Sequence, residues 1–448
     1  MSFPIFDMPW MGNALLMALD AVVHVFISHG IAIGAVVFIV ISEYIGLRHA
    51  APEWEDFARR LSKPTVIVVA AIGAPTGAGI WLIASVIAPR AIASMLRLFF
   101  WPWFIEWMVF VTEVSLLLVY YFTWDRWTGP LKRRHVWLGS AYVAASAMTA
   151  VLISGILGFM LTSDGWPWQR RFVQAYFNPT FLPQVVLRFA ESLLLGSLYA
   201  SCFLLLTKQD TAFRRRALRI FSWVGAGSTV VAALAAVWYF KASPAAFTVF
   251  LTSTWGFPWL AQNPAWLWRL NVVAVGALVA FLLIAVSGRW RAARAGVVVA
   301  VVFALALVAE FEFIRESIRK PYIMPGYMYS NQMLLSEQQY FRQSGLLANS
   351  YWYNIATDKP SLQQQGAYLF LQNCSRCHTI GGFNDIRQRL QGRSPDGIRV
   401  ILEHTDKMVP FMPPFSGNDD ERTILAEYLY TITNPPRSPT TGRSGGAQ

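Results

Sequence analysis

The chain has 448 residues, of which 55% are hydrophobic and only 14% are charged, and its mean hydropathy is +0.41. These values exclude an ordinary soluble globular protein and indicate a membrane protein. The formal net charge is +12. Basic loops on one side of a membrane account for such a charge, so it gives no reason to expect nucleic-acid binding.

Eight apolar stretches are long enough to cross the ~30 Å of hydrocarbon in a bilayer. These predicted spans, first to eighth, lie near residues 13–40, 64–88, 98–123, 136–161, 183–206, 218–240, 267–286 and 294–317. The pattern predicts an all-α fold, built as a polytopic membrane helix bundle. Because the number of crossings is even, both termini are expected on the same side of the membrane.

The loops after the odd-numbered spans are the basic ones. Lys and Arg are concentrated in residues 59–63, 132–134, 214–216 and 289–294. Short loops rich in Lys and Arg face the cytoplasm. The chain is therefore expected in the bacterial inner membrane, with both termini on its periplasmic side. Residues 1–13 lack a basic region, and no cleavable signal peptide is expected there.

Ionisable side chains inside apolar spans are costly and mark functional candidates. The first span contains His24 and His29, which point about 140° apart on a helix and therefore cannot both bind one metal ion. The alternative role is a hydrogen bond to a backbone carbonyl, and it is favoured for His29. In the third span, Glu106 and Glu113 share nearly the same helical face. They are either stations on a proton path or a pair of hydrogen-bonded structural acids.

A haem-attachment motif lies near the end of the chain. Cys374-Ser375-Arg376-Cys377-His378 is a C-x-x-C-H sequence, which holds one covalent c-type haem through two thioethers and offers the histidine to the iron. Met412, in a Met-Pro-Pro-Phe segment, is the expected sixth ligand, and Met408 is its competitor. Bacteria attach haem to this motif in the periplasm, which agrees with the side assigned from the basic loops.

Two predicted helices, residues 361–372 and 419–431, flank this motif. With them, residues 360–433 resemble a class I cytochrome c, a small α-helical domain. We therefore expect a membrane domain at 1–322, an aromatic linker at 323–359 that lies on it, the cytochrome c domain at 360–433 and a disordered tail at 434–448.

The membrane domain carries a second resemblance, over roughly residues 10–325. It resembles subunit I of the cytochrome bd quinol oxidases in the order of His24, Ile105-Glu106, Glu113, Trp124-Asp125-Arg126, Gly158-Phe159-Met160 and Asn178-Pro179. In addition, Glu316-Ser317-Ile318-Arg319-Lys320-Pro321-Tyr322 is similar to the family segment in which a glutamate ligates a high-spin b haem.

This resemblance implies roles for several residues. His24 would be the axial ligand of the oxygen-reducing haem and Glu316 that of its high-spin neighbour, with Glu106 and Glu113 on the proton route to them. The implied cofactors are two non-covalent haems of b or d type. The family also pairs subunit I with a second, homologous membrane subunit.

The sequence departs from the family where quinol enters. The positions that hold the family's low-spin b haem correspond to Glu191 and Asn271, although the neighbouring Arg269, a candidate haem-binding residue, is retained. The quinol-binding loop is reduced to roughly residues 241–265, and the family's ninth span is missing. A periplasmic haem c is expected to replace the quinol entry.

The remaining ionisable residues have plainer interpretations. The charged residues near the end of the eighth span form either a salt-bridge network or a set in which arginines, Arg319 among them, pair with haem propionates. His49, His135 and His404 are interpreted as surface residues, and Cys202 as packing.

Two functions from different classes follow. The first is an oxidoreductase in which haem c accepts electrons from a periplasmic cytochrome or other redox partner, and the buried haems reduce dioxygen or another small molecule. The second is a non-catalytic subunit that relays electrons between quinone or a membrane partner and periplasmic cytochromes. A membrane part that only anchors the cytochrome c domain, and a retained quinol site, are weaker alternatives.

Overall fold

The computed structural model describes residues 6–163, 172–244, 265–287, 290–356, 358–409 and 411–435. They divide into two compact units. The membrane unit comprises residues 17–85 and 90–326, and the C-terminal unit comprises residues 1–16, 86–89 and 327–448.

Within the described residues, eight helices are long and apolar enough to cross a membrane, as the sequence predicts. In order, these spans are Asn13–His49, Pro52–Ile87, Phe100–Thr123, Gly129–Phe159, Phe172–Leu206, Thr211–Ala242, Ala265–Val286 and Arg291–Ile318. The second span begins earlier than predicted, because Pro52 starts an amphipathic turn whose Trp54, Phe57 and Leu61 are buried in the core.

Several spans are built from more than one helical segment. The first joins Asn13–Ile27, a π-helical Ser28–Ala35 and Val36–His49, and the second joins Pro52–Val68, a π-helical Val69–Gly73 and Ala74–Ile87. The fourth consists of the 3₁₀ turn Gly129–Leu131 and Lys132–Phe159, and the fifth of Phe172–Tyr176 and Phe181–Leu206. The eighth helix begins at Trp290 and ends at Ile318, and the short helix Pro89–Leu98 precedes the third span.

The first and fifth spans cross in close contact. A Cβ atom added to Gly34 would meet the Ser192 carbonyl oxygen, and one added to Gly196 would meet the Gly34 backbone. Small residues at such a crossing let two helix backbones approach closely, which drives helix association inside a membrane. The crossing lies in the π-helical part of the first span, the segment that also carries His29.

The C-terminal unit contains the small α-helical domain that the sequence predicts. Its helices are Gln338–Ser344, Tyr351–Asn354, Leu362–Asn373, Ile386–Leu390, Pro395–Glu403, Thr405–Met408 and Asp419–Thr433, with a 3₁₀ turn at Leu335–Glu337. Of the two short strands, Met328–Tyr329 lies in this unit and Tyr322–Met324 lies in the membrane unit. Ser361 and Asn418 close capping boxes at the two helices that the sequence predicts. Gly366 lies directly against Tyr428, so these two helices cross in contact.

Residues 327–356 of the predicted linker belong to the C-terminal unit. Of these, Met333, Phe341, Leu346 and Leu347 belong to the same apolar core as the cytochrome-like helices. The buried Glu421 carboxylate accepts backbone N–H bonds from Leu346 at 2.8 Å and Leu347 at 2.6 Å. That the linker also lies on the membrane domain stays a prediction. Most of the predicted disordered tail lies outside the described residues.

The N-terminal segment packs against the loop that follows the haem-attachment motif. The Phe383 backbone N–H donates to the Trp10 carbonyl at 2.8 Å, and a Cβ atom on Gly382 would collide with the Trp10 backbone. Gly12, which adopts a φ of +80°, contacts the Thr379 side chain, the residue directly after His378. The segment that leads into the first span therefore contacts the loop that begins after His378.

Candidate functional site

The two motif cysteines lie at the end of the helix Leu362–Asn373. Cys374 is its C-cap residue, and the backbone N–H groups of Cys377 and His378 both return to the Cys374 carbonyl, at 3.0 and 2.9 Å. The Asn384 side chain donates to the Cys377 carbonyl at 2.6 Å. Both thiols are free of disulfide bonds. This tight turn brings the backbones of the three motif residues close together.

The surroundings of the motif suit a porphyrin. Cys374 packs against an apolar cluster whose members include Leu369, Phe370, Leu390 and Phe415. Burial, and secondarily the neighbouring Cys377, raise the pKa of the Cys374 thiol to about 12. Two cysteine thiols outside any disulfide, a buried histidine and an apolar lining are the donor set that a c-type haem requires, so the residues present fit this group.

The two candidate sixth ligands differ in exposure. Met408 is 57% exposed, whereas Met412 is partly buried. Thr405 donates to the Pro413 carbonyl at 2.9 Å and so fixes the backbone next to Met412. A thioether ligand must reach the iron inside the apolar cluster, so this arrangement favours Met412.

His24 points into a glycine-lined part of the second span. Its Nδ1 lies 3.2 Å from the Thr76 hydroxyl, and a Cβ atom on Gly77 would lie 2.9 Å from its Cε1. His29 Nδ1 instead lies 3.0 Å from the Val25 carbonyl, which is the hydrogen bond expected of a structural histidine. Asp20 was missed in the sequence. It lies one helical turn before His24 and packs against Gly79, and its signal was an acid in an apolar span.

The two carboxylates of the third span have different environments. Glu113 is buried and accepts hydrogen bonds from three side chains of the fourth span: Ser146 at 2.6 Å, Tyr142 at 3.2 Å and Thr149 at 3.4 Å. Glu106, two helical turns away, is partly buried. Glu113 therefore belongs to a polar contact between the third and fourth spans.

Glu316 is held by its own helix. Both of its carboxylate oxygens lie 2.5 Å from Arg319 Nη2, and Arg319 Nη1 lies 3.4 Å from the sulfur of Met160. The structure thus joins the Glu316 segment to the Gly158-Phe159-Met160 motif. The Glu316 side chain is 45% exposed within the chain. An imidazole at His24 and a carboxylate at Glu316 are chemically suitable ligands for haem iron.

Comparison with known proteins identifies the family of the membrane unit. Residues 14–245, just over half of the chain, match the family model of cytochrome bd terminal oxidase subunit I. The chain belongs to this family. Residues 361–429 match the family of cytochrome c oxidase, cbb3-type, subunit III, so the resemblances that the sequence suggests to bd subunit I and to cytochrome c are confirmed. Membership implies haem binding, of c type in the C-terminal domain and of b or d type in the membrane domain.

A solved structure agrees with the fold. The bd oxidase from Geobacillus thermodenitrificans matches with a TM-score of 0.60 and 21% identity over 72% of this chain and 90% of that chain. At this identity the likeness shows the fold alone. Comparison with curated proteins gives no match.

Two residues that depart from the family pattern, Glu191 and Asn271, make polar contacts in this bd subunit I homologue. Glu191, which the resemblance assigns to a low-spin haem ligand position, lies 3.4 Å from Arg188, which also pairs with Glu312. Asn271, which the resemblance assigns to the other ligand position, donates to Glu310 at 2.9 Å. These side chains are poor ligands for a low-spin haem, and the surrounding residues hold them in other interactions. Most of the shortened quinol loop lies outside the described residues.

The charged residues near the end of the eighth span form a salt-bridge network, one of the two alternatives that the sequence leaves open. Arg315 pairs with Glu312 at 3.0 Å, in addition to the contacts of Arg188 and Arg319. Arg269 lies instead on an aromatic ring, with its Cζ 5.3 Å from the centroid of Trp266. Haem-propionate pairing by Arg319 and haem binding by Arg269 stay predictions.

One expectation from the sequence was wrong. His135 was read as a surface residue because Arg133 and Arg134 precede it, but it is fully buried. Its ring stacks on Tyr120 and bonds to Glu43, a buried carboxylate of the first span that was also missed. Glu43 lies just beyond the predicted first span, so it carried no local signal, and its partner lies 92 residues away in sequence.

Proposed function

We propose that this chain is a haem-containing reductase in which haem c replaces quinol as the point of electron entry. Cys374 and Cys377 would hold the haem that accepts electrons from a one-electron periplasmic donor, such as a soluble cytochrome. His24 and Glu316 would hold b-type or d-type haems, which would supply the chemistry of dioxygen reduction. Both termini lie in the periplasm, and a second membrane subunit related to that of bd oxidases completes the complex.

The observation that carries this proposal is that the low-spin haem ligands are missing from a chain that has its own cytochrome c domain. The positions for the family's low-spin haem hold Glu191 and Asn271, which interact with Arg188 and Glu310. The same chain carries a C-x-x-C-H domain whose thiols and histidine suit a c-type haem. A chain without the quinol-oxidising haem needs another electron entry, and its own C-terminal domain can supply one.

The protein residues have distinct tasks in this proposal. The haems, when bound, carry the electrons and activate dioxygen. His24 and Glu316 hold the iron of the buried haems, while Arg319 orients Glu316 through its two hydrogen bonds. Each dioxygen reduced to two waters consumes four electrons and four protons. Glu113, fixed by three hydroxyl groups, and Glu106 accept protons and pass them toward the reacting oxygen.

A carbon monoxide difference spectrum of the reduced, purified protein tests this function. A reductase must contain a haem whose sixth position is open to the gas, so we expect a CO-induced change in the b or d haem bands. A pure electron relay, in which every iron has six ligands, shows none. We expect His24→Ala to remove the CO-reactive signal and keep the covalent haem c.

The matched control for that variant is His49→Ala. His49 is an exposed histidine at the other end of the same span, and we expect its variant to keep the wild-type CO spectrum. A wild-type protein with no CO-reactive haem, or a His24→Ala protein with an unchanged spectrum, contradicts the proposal.

A further inference from the structure

A buried polar cluster lies at the end of the membrane bundle where the basic loops are. It consists of Glu43 of the first span, Tyr120 of the third, and Lys132 and His135 of the fourth. Glu43 and His135 are fully buried, and Tyr120 and Lys132 are nearly so. None of these residues is at a haem-ligand position. Burying several ionisable groups costs free energy that apolar side chains would not, so the cluster calls for an explanation.

The hydrogen bonds of His135 show that it shares a proton with Glu43. His135 Nε2 lies 2.8 Å from the Tyr120 backbone carbonyl, which only accepts, so Nε2 carries a hydrogen. His135 Nδ1 lies 2.6 Å from Glu43 Oε1. A hydrogen bond at this distance requires one proton between the two atoms, either on the imidazole or on the carboxyl group. The pair therefore holds one proton that can move between nitrogen and oxygen.

The other residues of the cluster bind Glu43 and connect the Glu43–His135 pair to the protein surface. The Tyr120 hydroxyl donates to the second Glu43 oxygen at 2.5 Å. Lys132 Nζ lies 3.1 Å from Glu43 Oε1 and 2.8 Å from Glu55, whose side chain is 39% exposed. Glu55 and Lys132 line a surface groove together with Asp125. Protons from the adjoining solution can thus reach the pair through a short polar path.

Polar residues continue from the cluster along two facing helices. On the third span, Tyr120, Glu113 and Glu106 follow one another at intervals of seven residues, and on the fourth span Tyr142 comes seven residues after His135. Seven residues advance a helix by about 10 Å and bring the side chain back to nearly the same face. The Tyr142 hydroxyl donates to Glu113 at 3.2 Å. The column therefore links the cluster to the embedded carboxylates.

We infer that Glu43 and His135 form the proton inlet of the enzyme, which accepts protons from the cytoplasm and passes them to Glu113. This inference rests on the proposed function and adds the entry point that it lacks. A proton arrives from water on the shared pair, leaves toward Glu113, and is replaced from the solution, so no bond other than O–H or N–H changes. The step of about 10 Å from the pair to Glu113 exceeds a direct hydrogen bond and needs intervening water.

Proton uptake during anaerobic reduction tests the inlet directly. The purified full-length protein is reduced in a stopped-flow instrument in weak buffer with a pH-indicator dye, while haem absorbance is followed in parallel. We expect Glu43→Gln to slow proton uptake by about tenfold or more, because an amide cannot relay a proton, and to leave the reduction of haem c unchanged. Glu43→Asp retains a carboxyl group and should restore uptake to within about threefold of the wild-type rate.

A structural role for the cluster makes a different prediction. If Glu43 and His135 only hold three spans together, Glu43→Gln lowers the melting temperature while the uptake rate per haem stays at the wild-type value, and the inference is wrong. The matched control is Arg216→Ala, which removes an exposed charge of another basic loop, outside the groove lined by Glu55 and Lys132, and should leave uptake unchanged. If Glu43→Gln does not retain its haems, His135→Gln decides: slow uptake supports the inlet, and wild-type uptake overturns it.

Oxygen consumption by the same preparations separates this inference from the proposed function. A wild-type protein that takes up protons through Glu43 but reduces no dioxygen supports the inlet and contradicts the proposed function. A wild-type protein that reduces dioxygen, together with a Glu43→Gln protein of equal oxygen and proton rates, supports the function and overturns the inlet.

Discussion

Arg188 is predicted to stabilise the membrane bundle through a buried network of ion pairs. Its side chain is almost fully buried and pairs with Glu191 at 3.4 Å and with Glu312. Arg188→Met keeps an apolar stem but removes the charge. Removing one partner of a buried ion pair costs about 3–5 kcal/mol. We expect the lower end of this range, because Glu312 keeps its contact with Arg315 at 3.0 Å and only Glu191 loses its cation.

Thermal unfolding in detergent, followed by the helical circular dichroism signal, measures this loss. On the scale of soluble domains, about 3 kcal/mol corresponds to a fall in melting temperature of roughly 5–10 °C. The control is Arg59→Ala, whose exposed pair is worth about 0–1 kcal/mol. The double variant Arg188→Met/Glu191→Leu should recover much of the loss, since it leaves no unpaired carboxylate. If Arg188→Met melts within a degree or so of Arg59→Ala, the buried network is not the source of stability.

Two further substitutions test the haem sites. Met412→Ala should abolish the sulfur-to-iron charge-transfer band and lower the reduction potential of haem c in a spectroelectrochemical titration, because a thioether ligand favours the reduced iron. Met408→Ala, the control, should change neither. If Met408→Ala loses the band instead, Met408 is the ligand. Gly77→Val places a side chain against the His24 ring and should remove a non-covalent haem from the pyridine haemochrome spectrum. Gly276→Val, whose side chain projects into open space, should keep that haem. If the two variants contain equal amounts of haem, His24 is not a haem ligand.

Much of the fold follows from local sequence features. A bilayer requires long apolar helices, so all eight spans were found. The end of the first span and the starts of the second, fourth, fifth and sixth differ from the prediction by seven or more residues, because those helices continue beyond their most apolar part. The helix Leu362–Asn373 was predicted within one residue, and the capping box of Ser361 and Gln364 explains why it begins there. The C-x-x-C-H motif was similarly readable because one short segment carries all the atoms that attach the haem.

Side-chain contacts between spans that are distant in sequence could not be predicted from local features. His135 has basic neighbours in sequence, yet the fold turns it inward to a carboxylate of the first span. Glu113 was recognised as an embedded acid, but its partners Ser146 and Thr149 are ordinary helix residues in sequence. Which residues of two helices face each other depends on how the helices pack, and no local pattern specifies that.

The central claim is that one chain combines a covalent haem c with non-covalent haems inside the membrane. A pyridine haemochrome measurement of the purified protein, with the covalent haem separated by acid-acetone extraction, tests this claim most directly. We predict one haem c per chain together with extractable haem of b or d type. A protein that contains haem c and no extractable haem would contradict the claim and leave the membrane unit as an anchor.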